Sequence, residues 1–443
     1  MKMLESTSVH GATLSRRGFL GAGGALVVSL AVAPSLTQAE AQLEAGPTSS
    51  LDPTRVTSWI EIREDGAILI RTGKCDFGQS SIFTAYRQIV AEELYVPVEA
   101  ITTVVSGNTD DTPDGGGTFG LLRGVQNLRK AAAYVREASL ELAARKFGVA
   151  KDTVTVKDGV FTGGGKSESY GKLVAGQDLQ LTIPVRGELT SFGGLSVTGD
   201  PPLKPTSQYT VVGQPVKNPI LPEKVSGKTV WVGDVKLPGM LHARVVHPAT
   251  LGSTLISAGK VDTKKYPNSR VVVVGNLVAV LSPNEWDAIQ AAQEVAAETK
   301  WTEWKGLPGH EKLAEHLEKV NWSEVPPTKS GASKGDAASE AAKAAKTHSA
   351  TYFVPFMKHG PISPTVSLAD VKPNGSVELH THTQNPQFLR MAIARMLTKP
   401  ESAVVIKTYP GASHFGRSNG GNAGSEDEAV LLSKAVGKPV RVQ

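Results

Sequence analysis

The sequence predicts an α+β fold assembled from more than one domain, and three observations carry that prediction. At 443 residues the chain is longer than one hydrophobic core usually serves. Hydrophobic residues at 40% and charged residues at 20% are the proportions of a chain that buries cores in water. Short apolar alternations punctuated by Asp-Gly or Gly-Asn recur beside longer runs at helical spacing, so strands and helices mix along the whole length.

The N-terminus reads as an address. Ser15-Arg16-Arg17-Gly18-Phe19-Leu20 precedes an uncharged stretch from Gly21 to Ala33 and the small residues of Ala39-Glu40-Ala41. That order is expected of a twin-arginine signal peptide, residues 1–41, cleaved after Ala41 and delivering the protein to the periplasm. The apolar stretch is too short for a stable membrane span. Because this route carries folded proteins, it suits a protein whose cofactor is inserted before export.

Residues 42–222 form the first expected unit. Val56–Ile62 and Ala67–Thr72 read as strands of a hairpin turning at Asp65-Gly66. Ile82, Tyr86, Ile89, Val90 and Leu94 fall on one helical face behind Ser80 and Ser81 as cap residues, and Pro97 stops the helix. A second helix is predicted from Gly124 to Lys146, a hairpin at Asp158-Gly159, then an irregular Pro- and Gly-rich crossing to Pro222.

A second unit, residues 223–322, has a strand at Met240–Val246 and a hairpin whose two-residue turn is Gly275-Asn276. Ser282-Pro283-Asn284-Glu285 is read as N-cap, first-turn proline and capping-box glutamate of a helix. Residues 323–347 have the composition of a linker. The third unit, 348–443, has predicted strands at Tyr352–Phe356, Val366–Val371, Val377–His382 and Ala403–Thr408. Its helices begin at Pro386 and at Ser425 with Glu428.

Composition also excludes. A net charge of +5 without a dense Lys/Arg block gives no track for a phosphate backbone, so nucleic acid is not an expected partner. With Cys75 as the single cysteine there is neither an intrachain disulfide nor a cysteine-built zinc or iron–sulfur site, and Cys75 itself reads as a small buried thiol. No nucleophile–base triad, Walker loop or Rossmann fingerprint stands in suitable context. His380 and His382 alternate on a strand and are read as solvent-facing rather than as metal ligands.

Three glycine-bearing loops lie between a strand and a helix or just before a helix: Thr72-Gly73-Lys74-Cys75-Asp76-Phe77-Gly78-Gln79-Ser80, Pro113-Asp114-Gly115-Gly116-Gly117-Thr118, and Gly411-Ala412-Ser413-His414-Phe415-Gly416-Arg417. Such bends let main-chain N–H groups approach an anion near a helix start.

Together with Gln88-Ile89-Val90-Ala91-Glu92-Glu93-Leu94, Leu237-Pro238-Gly239-Met240-Leu241-His242-Ala243-Arg244, Thr383-Gln384-Asn385-Pro386 and Gly437-Lys438-Pro439-Val440, these loops resemble the molybdopterin-binding large subunit of the xanthine dehydrogenase and aldehyde oxidase family. Within it they are most similar to the isoquinoline oxidoreductase beta subunit type. The resemblance implies a multi-domain molybdenum hydroxylase architecture with a hammerhead-like domain at 223–322 and the first part of the main molybdopterin-binding domain at 348–443. It implies molybdopterin cytosine dinucleotide as cofactor, contacted by Gly78, Gln79, Thr118, Phe415, Gly416 and Arg417, with Gln384 near the metal and no direct protein ligand to it. The implied reaction hydroxylates an aldehyde or N-heterocycle with oxygen from water, electrons leaving to [2Fe-2S] clusters on a small partner subunit.

This chain departs from the family pattern in four places, one of them Ile362-Ser363, which replaces the usual acidic residue near Pro361–Pro364. Family large subunits continue past residue 443 and carry their general base there, so none is named here. Ser80 stands where the family has the second glycine of Gly-Gln-Gly, and Ala412, Ser413 and His414 interrupt the third loop. A truncated product, a C-terminal half on a separate polypeptide, and a catalytically incomplete exported binding or assembly protein on the same scaffold all remain open readings.

Overall fold

In the computed structural model, which describes residues 8–9, 12–13, 51–116, 120–174, 181–189, 194–250, 252–304, 306, 308–309, 311–319, 334–355, 360–411 and 425–443, the first hairpin forms where Asp65-Gly66 breaks the apolar alternation. Strands β1 (Ile60–Ile62) and β2 (Ile68–Thr72) pair antiparallel. Helix α1 (Ser81–Leu94) then crosses over, and β3 (Ile101–Ser106) returns parallel to β2. Its partner helix α2 (Val125–Phe147) packs beside α1, each burying the stripe read from the sequence: Ile82, Tyr86, Ile89, Val90 and Leu94 against Leu128, Ala132 and Val135. Each fully buried side chain of this size contributes about 1.5–3 kcal/mol. Strands β4 (Thr155–Lys157), β5 (Val160–Gly163) and β6 (Lys166–Ser169) add a meander turning at Asp158-Gly159, followed by the short helix α3 (Tyr170–Val174).

The irregular crossing that follows is pinned by charge. Glu92 and Glu93 are fully buried at the end of α1. Lys204 Nζ donates to Glu92 at 2.5 Å, and the N–H groups of Thr210, Val211 and Val212 point at the same carboxylate. Glu93 accepts from Arg129, Arg136 and the Lys204 main chain, so a segment with almost no regular structure is ordered by two satisfied buried acids.

A seven-stranded mixed sheet forms the second core. It is built from β7 (Leu241–Val246), β8 (Arg270–Val274), β9 (Leu277–Ser282), β10 (Ser367–Val371), β11 (Val377–Thr381), β12 (Val404–Thr408) and β13 (Val440–Val442), in the order β8-β9-β7-β13-β10-β11-β12. β9 is buried along its whole length because both faces are covered. Leu277, Ala279 and Leu281 face α5 (Pro386–Leu397) and α6 (Glu426–Val436), while Val278 and Val280 face α4 (Glu285–Glu298).

Strands from segments 223–322 and 348–443 lie in one sheet, because β13 pairs parallel with β7 and antiparallel with β10. Several local expectations are corrected. Residues 352–355 form no strand, and Tyr352, Phe353 and Val354 are exposed; Phe356 lies outside the described residues. The α4 cap is Asn284, whose Oδ1 accepts from the N–H groups of Trp286 and Asp287, two residues later than the sequence reading places it. Ser80 and Ser425 precede α1 and α6 without side-chain capping bonds. His380 and His382 are buried, not solvent-facing.

By contact the chain divides into two units, of which residues 26–248, 254–301 and 360–443 are the one described so far. The other comprises residues 1–25, 249–253 and 302–359, where the Trp304 ring lies against Gly252 and two short helices span Leu313–Glu318 and Ala337–Lys343. No described helix is long and apolar enough to cross a membrane.

Candidate functional site

The first two glycine loops and the Gln384 turn meet. Gly73 passes so close to the second loop that a Cβ on it would stand 1.8 Å from the Asp114 carbonyl oxygen, and its N–H donates to Asp114 Oδ1 at 2.5 Å. Lys74 Nζ turns inward, donating to the carbonyls of Gly115 and Gly116. Gly116 in turn lies against the Gln384 turn, where a Cβ would meet the Gln384 carbonyl oxygen at 2.1 Å and Pro386 Cδ at 2.8 Å. Only residues without side chains permit these approaches.

The second loop is fastened to the large sheet by β12 and α5. Thr109 Oγ1 accepts from the Ile406 N–H at 3.0 Å, Asn108 Oδ1 from the Thr408 N–H at 2.9 Å, and the Thr109 carbonyl from Gln387 Nε2 at 3.3 Å. Arg390 pairs with Asp110 at 3.3 Å. Gly411, the first residue of the third loop, donates its N–H to the Asp76 carbonyl, and its Cα side faces Phe77 and His382.

Gln384, like Asp114, keeps a buried side-chain oxygen without a hydrogen bond, but Asp114 Oδ2 has Lys74 Nζ at 3.6 Å whereas Gln384 has no such ion pair. Its side chain is 6% exposed, and Oε1 is buried with no hydrogen-bond partner. Gln387 Oε1, one helical turn on, is in the same state. An amide oxygen left so in a native fold costs about 1–3 kcal/mol and marks a place where a ligand group or water completes the bonding.

The first loop behaves differently from the expectation of free main-chain amides. Gly73 N–H is used by Asp114, and the N–H groups of Gly78 and Ser80 both donate to Asp76 Oδ1, at 3.2 and 2.8 Å. Phe77 N–H donates to Gln79 Oε1 at 3.0 Å. What faces outward is Gln79, exposed together with Gly78, its main-chain N–H directed to no protein acceptor among the described residues. Gly78 has φ +101° and Ser80 φ +58°. Ser80 therefore occupies a left-handed position, at a cost of about 1–2 kcal/mol.

Of the other candidates, Thr118, Phe415, Gly416 and Arg417 lie outside the described residues, as do residues 15–41 of the expected signal. His380 has both ring nitrogens engaged, Nδ1 with Tyr409 at 2.8 Å and Nε2 with Glu378 at 2.9 Å. No group of three or more His, Cys, Asp or Glu side chains able to hold a metal ion is present among the described residues. Cys75 is buried as read, and burial pushes its thiol up to about 12. Two hollows, of about 280 and 290 Å³, open beside β7; neither is lined by the loops or by Gln384.

The sequence reading missed Asp76, Asp114, Lys74 and Lys224. The first three stand as charged residues inside glycine loops, a visible signal, whereas nothing in the sequence around Lys224 marks it.

These features define a protein that gathers loops from two cores around a buried, unfinished amide, and the domain matches identify what such loops hold. Residues 16–219 match one family of molybdopterin cofactor-binding domain and residues 322–443 match a second. The chain belongs to the xanthine dehydrogenase family, as the large-subunit type. It is 29% identical over 94% of its length to a nicotinate dehydrogenase subunit of Pseudomonas putida, covering 34% of that protein. It is 29% identical over 97% to a membrane-bound aldehyde dehydrogenase of Gluconacetobacter polyoxogenes named for pyrroloquinoline quinone, covering 55% of it. Over 52% of its length it is 28% identical to the beta subunit of isoquinoline 1-oxidoreductase from Brevundimonas diminuta, covering 33%. The chain thus spans between a third and just over half of these relatives.

Proposed function

We propose that this chain is the molybdopterin-holding part of an exported molybdenum hydroxylase that oxidises an aldehyde or an N-heterocycle. The observation carrying the proposal is Gln384 Oε1, buried and unpaired where the glycine of the second loop presses on the Gln384 turn. Two molybdopterin domain matches supply the class of group that fits there, and relatives named for nicotinate, isoquinoline and aldehyde supply the substrate classes.

When bound, the cofactor supplies hydroxylation of an electron-poor carbon with oxygen from water and takes up the two electrons released. The chain's own contribution is positioning. Gln384 would hold the metal end through its side-chain amide, and Gln79 would contact the pterin dinucleotide, which we take to be the cytosine form. Thr118, Phe415, Gly416 and Arg417 join them. The single cysteine of these 443 residues could not ligate a [2Fe-2S] cluster, so clusters accepting the electrons would sit on a small partner subunit. The twin-arginine pattern at residues 15–20 supports a periplasmic location, with cleavage after Ala41.

A second reading, a catalytically incomplete exported binding or assembly protein, is favoured by the inward bonding of the first loop's amides. One experiment separates them. The chain is purified with the products of its neighbouring genes and assayed for molybdenum, iron–sulfur absorbance and turnover of aldehydes and N-heterocycles. Molybdenum with turnover supports the enzyme, and a complex that never binds molybdenum overturns it.

A further inference from the structure

Lys224 lies on a five-residue helix, Leu221–Val225, more than 140 residues beyond the first loop in sequence. Its ammonium nevertheless reaches three acceptors of that loop: Ser80 Oγ at 2.6 Å, Asp76 Oδ2 at 2.8 Å and the Gly78 carbonyl at 3.2 Å. A lysine has three N–H donors, and here each has one acceptor. The Lys224 side chain is 12% exposed and that of Asp76 2%, so the pair is shielded from competing water.

The geometry is that of a bracket. Asp76 takes the N–H groups of Gly78 and Ser80 on one oxygen and Lys224 on the other. Lys224 then closes over the carbonyl and hydroxyl sides of the same turn. Within the loop alone Ser80 Oγ has only a long contact to the Gly78 carbonyl, at 3.5 Å. Two of three consecutive residues with positive φ, one of them a serine, need such outside support to persist.

We propose that Lys224 is the positioning residue of the cofactor loop, fixing Asp76, Gly78 and Ser80 from outside so that the Gly78-Gln79 tip faces outward and a serine can stand in a left-handed position that glycine adopts without strain. The word cofactor rests on the function proposed above; the mechanical role does not.

The test is amide hydrogen exchange on the full cofactor-free chain, comparing wild type with Lys224→Met and Lys224→Arg, alongside molybdenum content after expression in a host that makes molybdopterin. In Lys224→Met, exchange in peptides covering residues 76–82 should rise at least about tenfold while β9 and α4 stay unchanged, and molybdenum content should fall; Lys224→Arg should recover part of both. A folded Lys224→Met protein with wild-type exchange at 76–82 overturns the proposal. Should Lys224→Met not fold, Ser80→Ala, which removes one acceptor only, is read the same way. A wild-type chain that takes up no molybdenum, with the exchange effect present, removes the functional reading and leaves the role of Lys224 standing.

Discussion

Adding one methyl group at Gly116 should disturb the site more than its size suggests. The new Cβ would stand 2.1 Å from the Gln384 carbonyl oxygen, where real contacts stop at 3.0 Å, so the Gln384 turn must retreat by about 0.9 Å. The obstacle is main chain and the ring of Pro386, neither of which can swing aside as a side-chain tip would. Overpacking of this kind costs about 1–3 kcal/mol, which for a domain of this size lowers the melting midpoint by roughly 2–10 °C. A shift of about 1 Å at a positioning group lowers turnover on the order of a hundredfold. The assay is a thermal melt together with molybdenum content and turnover of Gly116→Ala. Gly360→Ala, where an added Cβ meets nothing within 4 Å, serves as the control. If Gly116→Ala melts and turns over like the wild type, the second loop does not press on the Gln384 turn and the site as described is wrong.

Glu92→Gln should destabilise the chain by about 3–5 kcal/mol in urea unfolding, because Lys204 is left buried without its counter-charge. Burial pushes the Glu92 carboxyl up, but Lys204 and the N–H groups of Val212, Thr210 and Val211 outweigh it and hold it at about 2. Its stabilisation is therefore present above the ordinary value of 4.5 and lost as pH falls toward 2, and Glu92→Gln should flatten that limb of the stability–pH curve. Glu428 has the opposite sign: burial, then the charges of Asp427 and Glu426, push it up to about 8, so stability should decline as pH rises from about 4.5 through 8, and Glu428→Gln should reduce the decline. Cys75 should resist iodoacetamide at neutral pH in the folded chain and react in guanidinium; rapid labelling of the native protein would contradict its burial.

Much of the fold was legible because local physics decides it. The α1 stripe from Ile82 to Leu94, the Asp65-Gly66, Asp158-Gly159 and Gly275-Asn276 turns, and the start of α5 at Pro386 need only periodicity and turn chemistry, and all are found. The pairing of β13 with β7 was not legible, since strands nearly 200 residues apart leave no local trace of their register. The α4 cap slipped from Ser282 to Asn284 because both residues suit the role and only the path of β9 chooses between them. At the site, glycines signalled where chains approach. They could not reveal that the released space is filled by Asp114 and by the Gln384 turn, or that Asp76 and Lys224 would consume the loop's donors.

The claim on which the rest depends is that these loops and Gln384 hold molybdopterin. Metal and pterin analysis of the chain, co-purified with its neighbouring gene products from a molybdopterin-producing host, tests it most directly. About one molybdenum and one pterin per chain are expected, both strongly reduced in Gln384→Ala; a folded wild-type complex free of molybdenum and pterin would contradict the claim.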